Sequence, residues 1–98
     1  MQTQTIGLGS EIDAYIQQSG FTNNRWYVGI TSDVHARLFG DHNVSREGIW
    51  IHGRCPSASE ARALEAAYHR AGCQGAGGGG DNDSVYIYAY LITSTTVE

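Results

Sequence analysis

The sequence contains no lysine: its six basic residues are all arginine, set against ten acidic residues for a net charge of −4. A chain with that balance does not coat nucleic acid by bulk charge, which leaves room only for a local basic site. Arginine is the side chain that grips a phosphate or carboxylate through two parallel N–H bonds, although a GC-rich genome produces the same bias. Proline is nearly absent, and there is no run of 18 or more apolar residues, so no membrane span is expected. The first residues lack the basic and apolar regions of a signal peptide, which makes a cytoplasmic location the expectation. The two cysteines, Cys55 and Cys73, form no CxxC and have no second pair. That excludes a closed structural zinc site and predicts free thiols. His35, His42, His52 and His69 show no HExxH pattern. A lone carboxylate holding a largely hydrated Mg²⁺ leaves almost no sequence trace, so that kind of metal site stays open.

What is there is one short chain, 98 residues with 41% apolar composition, read as a single domain over residues 1–98 with a modest core. Residues 1–9 are polar and mixed and read as a loose start or a short edge strand. Ser10 to Gln18 reads as a helix, capped by Ser10 and with Ile12, Tyr15 and Ile16 on one face. Arg25 to Thr31 reads as a strand. Trp26, Val28 and Ile30 form its core face, while Arg25, Tyr27, Gly29 and Thr31 form a half-polar face where a site can lie. A short helix follows to about Phe39, capped by Thr31 or Ser32, with Val34 and Leu38 as its core pair and Arg37 one turn from Asp33 and Asp41. On spacing alone Arg37 is an exposed arginine with local ion pairs. Gly48 to Gly53 reads as a second strand.

Ser57 and Glu60 then form a capping box that opens a helix to about Ala71. Its apolar stripe is Ala61, Leu64, Ala67, Tyr68 and Ala71; Arg62, Glu65 and His69 make a polar stripe beside it. Residues 72–83 hold a glycine-rich loop that lacks the Walker A pattern and reads as a flexible connection. Val85 to Ile92 is the strongest strand, with Tyr86, Tyr88 and Tyr90 on one face. Those rings either stack on bases or donate to a phosphate, or else pack under a helix with their hydroxyls at the rim. The order α-β-α-β-α-β predicts a small α/β or α+β domain: a three-stranded, mainly antiparallel sheet flanked by three helices. Its exposed edge offers a route to a homo-oligomer.

The segment Tyr27-Val28-Gly29-Ile30-Thr31, with Arg37 ten residues after Tyr27 and Glu65 in the context Glu60-Ala61-Arg62-Ala63-Leu64-Glu65, resembles the second half of the GIY-YIG nuclease signature. The likeness covers roughly residues 25–70. The "GIY" strand that the family carries before this point is absent here. Val85 to Leu91 is rich in the residues of that strand, which suggests a permuted arrangement in which Tyr86, Tyr88 or Tyr90 supplies the missing tyrosine. The resemblance implies a metal-dependent endonuclease that hydrolyses phosphodiester bonds of DNA. Glu65 would hold one Mg²⁺ or Mn²⁺, Arg37 the phosphate, and Tyr27, with a second tyrosine such as Tyr88, the attacking water. His42 or His35 would assist proton transfer. Gly29, Thr31, His35, Arg62, His69 and Tyr86 complete the candidate substrate- and phosphate-binding set. A second reading keeps the fold without cutting. In it, an inhibitor-like binding protein of phage or mobile-element type recognises a nucleotide, another phosphate ligand or a protein partner.

Overall fold

A computed structural model of the chain describes residues 4–75 and 82–98, the side chains of residues 4–10 excepted. Helix α1 spans Gln4–Ser19, strand β1 Trp26–Thr31, strand β2 Trp50–Arg54, helix α2 Ala58–Arg70 and strand β3 Tyr86–Leu91. A π-helical segment, Ala36–Asp41, lies between β1 and β2. The sheet is antiparallel with the order β1-β3-β2, so the last strand in sequence is the central one. This is the expected small α+β domain, a three-stranded antiparallel sheet with three helices. No helix of the described residues is long and apolar enough to cross a membrane.

Period-two alternation along β3 separates two layers. Ile87, Ala89 and Leu91 join Trp26, Val28 and Ile30 of β1 in the main core, which Ile12 and Ile16 of α1 and Ala61 and Tyr68 of α2 close from that side. Tyr88 and Tyr90 face the other way and pack with Tyr27, Val34, Leu38 and Val44 under the π-helical segment. Register then sets up three rows across this second face. Tyr27, Tyr90 and Trp50 form one; Gly29, Tyr88 and His52 the next; Thr31, Tyr86 and Arg54 the last.

Several boundaries differ from the sequence reading. Helix α1 begins at Gln4, so residues 4–9 are helical and Ser10 lies inside the helix instead of capping it. The short helix is capped by Asp33, whose carboxylate accepts from the Ala36 N–H, while Thr31 is used one step earlier to hold the Asp33 N–H. Within it, the His42 N–H bonds to the Arg37 carbonyl, five residues back. An α-helix would splay residues five apart by about 140° at ~3.6 residues per turn; the wider turn draws Arg37 and His42 toward one side. Such single π turns are common at functional sites. In α2 the Ser57 hydroxyl caps the Glu60 N–H as expected. Ala67 and Ala71, however, are exposed, and Glu65 of the polar stripe is buried along with Ala61 and Tyr68. Residues 76–81 of the glycine-rich loop lie outside the described residues.

Gly29 is the tightest point of the second layer. A Cβ there would sit 2.5 Å from the Tyr88 hydroxyl oxygen. The space over the Gly29 backbone on this face is therefore filled by Tyr88, which lies across β1. Gly29→Ala is expected to lower stability in urea denaturation by about 1–3 kcal/mol, because a packed ring must move to admit the methyl group. An unchanged midpoint would show that Tyr88 does not rest on β1.

Candidate functional site

The second face converges on one phenol. The Tyr88 side chain is fully buried, and its hydroxyl lies 2.8 Å from Nε2 of His42 and 3.4 Å from Nη2 of Arg37. The other ring nitrogen of His42, Nδ1, lies 2.7 Å from the Val97 carbonyl and 3.0 Å from the Tyr90 hydroxyl. Tyr90 donates its own hydrogen to Oε2 of Glu98 at 3.0 Å, so toward His42 it can only accept. Both neighbours of Nδ1 are thus acceptors, and Nδ1 carries the ring hydrogen. Nε2 of the neutral ring is then bare and accepts the Tyr88 O–H, while Arg37 donates to the same phenol oxygen. The segment after β3 is held to this histidine by its backbone as well, through Val97 N–H to His42 O at 2.8 Å. Asn43 supports the docking from a left-handed conformation (φ 54°), with its amide donating to the Thr95 carbonyl.

Burial sets the electrostatics. It pushes the Tyr88 phenol up to about 12 against the opposing charge of Arg37. Burial, seconded by Arg37, also holds His42 below 6.5, which keeps it neutral and accepting near neutral pH. Glu65 of α2 is 6% exposed, and burial raises its carboxyl above 4.5 despite the favourable charges of His69 and Arg62. Its negative charge, like the phenol of Tyr27, reaches Tyr88 electrostatically. Neither the Glu65 carboxylate nor the Tyr27 hydroxyl has a hydrogen-bond partner among the described residues. A buried carboxylate left without donors has lone pairs to offer a cation or a water. Tyr27 itself is 5% exposed, with its ring 4.7 Å from that of His42.

Of the residues singled out from the sequence, Tyr27, Arg37 and His42 lie against Tyr88, and Glu65 reaches it through charge alone. The others do not all join them. His69 bonds through Nε2 to the Val28 carbonyl at 2.9 Å and so secures the outer edge of β1. Thr31 is spent on its own turn. Arg62 acts on Glu65 through charge alone. The Arg37–Asp41 ion pair, at 2.9 Å, is the local contact expected of a helix arginine, and it coexists with the reach to Tyr88. His35 and Tyr86 lie elsewhere on the face, lining with His52, Ser32, Asp33 and Val34 a cavity of about 270 Å³. Tyr88 and Tyr90 are fully enclosed, so stacking of bases on them is corrected to packing under the π-helical segment.

Sequence reasoning missed Tyr90, Val97 and Glu98 as supports of His42, because contacts made by a carbonyl and by a residue outside any regular element leave no pattern. It also missed the outward face of β2. The alternation of Trp50, His52 and Arg54 was the available signal. Comparison of the chain with protein-family models, curated proteins and solved structures returns no match.

The sign of the Glu65 linkage is testable without any substrate. A carboxyl whose folded pKa is raised binds more protons folded than unfolded between 4.5 and that raised value, so it opposes folding at neutral pH and relaxes as pH falls. Glu65→Gln is expected to raise Tm at neutral pH by roughly 2–6 °C, with the gain shrinking as the pH falls toward the ordinary carboxyl value of 4.5. A loss of stability would mean that the carboxylate is satisfied by partners in the fold.

Proposed function

We propose that the chain is a small metal-dependent endonuclease of the GIY-YIG type, with its signature permuted so that β3 takes the part of the missing first strand. The observation that carries this reading is the convergence of Tyr27, Arg37 and His42 on Tyr88, with Glu65 within electrostatic reach of the same phenol. The sheet order supports it too: β3 runs antiparallel to the Tyr27–Gly29 strand, directly beside it, and pairs Tyr88 with Gly29.

Phosphodiester hydrolysis needs a positioned water, a sink for its proton, and positive charge on the phosphate. Arg37 is half-exposed and binds the phosphate. Its 3.4 Å contact with Tyr88 is long and is the one a phosphate oxygen replaces, uncovering the phenol as it does so. The unpartnered Tyr27 hydroxyl orients the water on the same side. Tyr88, with its hydrogen already directed at His42, takes a proton from that water as it passes its own to Nε2, so no free tyrosinate at a pKa of about 12 is required. The new P–O bond forms as the leaving alkoxide departs and is protonated by solvent. Glu65 would hold a hydrated Mg²⁺ or Mn²⁺, for which a single carboxylate with free lone pairs suffices. When bound, such an ion supplies charge stabilisation to the phosphate and leaving oxygen.

The test is cleavage of plasmid and single-stranded DNA with Mg²⁺ or Mn²⁺. Wild type is expected to nick or cut. Arg37→Ala and Glu65→Ala should each lose on the order of 10²–10⁴-fold, and Tyr88→Phe and His42→Ala at least tenfold. No cleavage by a folded wild-type chain with either metal would reject the reading in favour of a non-catalytic binding protein.

A further inference from the structure

Beside the reaction centre, the open face of β2 carries an aromatic patch that the proposed chemistry does not use. Trp50 and His52 alternate on this strand with Ile51 and Gly53, and point to the same side as Tyr88 and Tyr90. Their rings are stacked, with planes 10° apart and centroids at 5.8 Å. Phe39 of the π-helical segment meets Trp50 edge-on at 5.3 Å, His35 meets Phe39 at 5.5 Å, and His52 faces His35 at 6.4 Å, which closes a ring of four aromatic side chains. The patch is built, not loose: the Trp50 indole N–H donates to the Arg46 carbonyl at 3.1 Å, and the Arg46 guanidinium lies 4.3 Å above the Phe39 ring. It is also accessible. His35 and His52 are exposed, and Phe39 and Trp50 are half-buried.

Guanidinium groups flank this patch. Arg46 stands at one end and Arg54 at the other, with the two histidines between. Of the acids closest in sequence, Asp33 has its carboxylate turned to the Ala36 N–H and Glu47 accepts from the Ser45 hydroxyl. Flat rings flanked by guanidinium groups bind nucleotides whose bases are free to stack, which duplex DNA hides in its interior. Continuity fixes where such a strand would lie, since His52 is the direct cross-strand neighbour of Tyr88.

We propose that this face binds unpaired nucleotides, a base stacking on the Trp50–His52 pair while Arg46 and Arg54 hold the flanking phosphates. The inference rests on the nuclease reading for its biological sense and sharpens it. The substrate is nucleic acid with an unpaired segment next to the cleaved bond, as in a single strand, flap or bubble.

The test is a fluorescence titration in EDTA, where no cleavage occurs, with a short oligothymidylate and with a duplex of equal length. Trp26 is fully buried, so quenching reports on Trp50. Saturable quenching by the single strand is expected, with the duplex at least fivefold weaker. His52→Ala and Arg54→Ala, both exposed positions, should weaken the single-strand affinity by roughly five- to a hundredfold. Quenching by the duplex as strong as by the single strand overturns the proposal, as does insensitivity to both alanine variants. So does absence of quenching accompanied by a dimer that Trp50→Ala dissociates, which would assign the patch to a second copy of this chain. A wild-type chain that binds the single strand as described but cuts nothing with Mg²⁺ or Mn²⁺ rejects the nuclease and leaves the stacking surface standing.

Discussion

The hydrogen bond from the buried Tyr88 hydroxyl to His42 is the constraint on which the rest of this face depends. A phenol that deep must be satisfied, and the sheet offers it no backbone partner on this side. Gly29 leaves the hydroxyl room to lie across β1, the π turn brings His42 and Arg37 to it together, and Val97 holds the histidine in the tautomer that can accept. Each of these would be an oddity alone: a glycine in a strand, an irregular helical turn, a docked segment after the last strand. Together they serve one atom.

Glu65 shows the opposing pressure. Burying a carboxylate with no donor beside it costs stability, and α2 carries that cost at a position that alanine-rich packing would otherwise fill. The net charge of −4 is spread over both sides of the sheet: Glu11 and Asp13 sit on α1, across from the candidate site, whereas Asp41 pairs with Arg37, Glu98 accepts from Tyr90, and Asp33 lines the cavity beside His35 and His52.

Much of this was legible in the residues. The alternation in β1 and β3 separated the core face from the working face, and the Ser57–Glu60 box opened α2 one residue from its observed start. The spacing of Tyr27 and Arg37 singled out two side chains that both lie beside Tyr88, while Glu65 acts on that phenol through charge. What the sequence could not convey were features without a period. A π turn looks like any short helix when read at 3.6 residues per turn. The burial of Glu65 depends on α2 lying along the edge of β1, and the docking of residues 95–97 uses carbonyl groups, which every residue has. Helix α1 starts six residues before Ser10, across Gly7 and Gly9, whose low helix propensity hides that first stretch in the sequence.

The nitrogen NMR shifts of the His42 ring at neutral pH test the central arrangement most directly, because they read the hydrogen-bond chain itself and not its consequences. The account predicts a neutral ring protonated at Nδ1, with Nε2 shifted as an acceptor of the Tyr88 hydroxyl and released from that shift in Tyr88→Phe. A ring protonated at Nε2, or one exchanging freely between tautomers and indifferent to Tyr88→Phe, would contradict it.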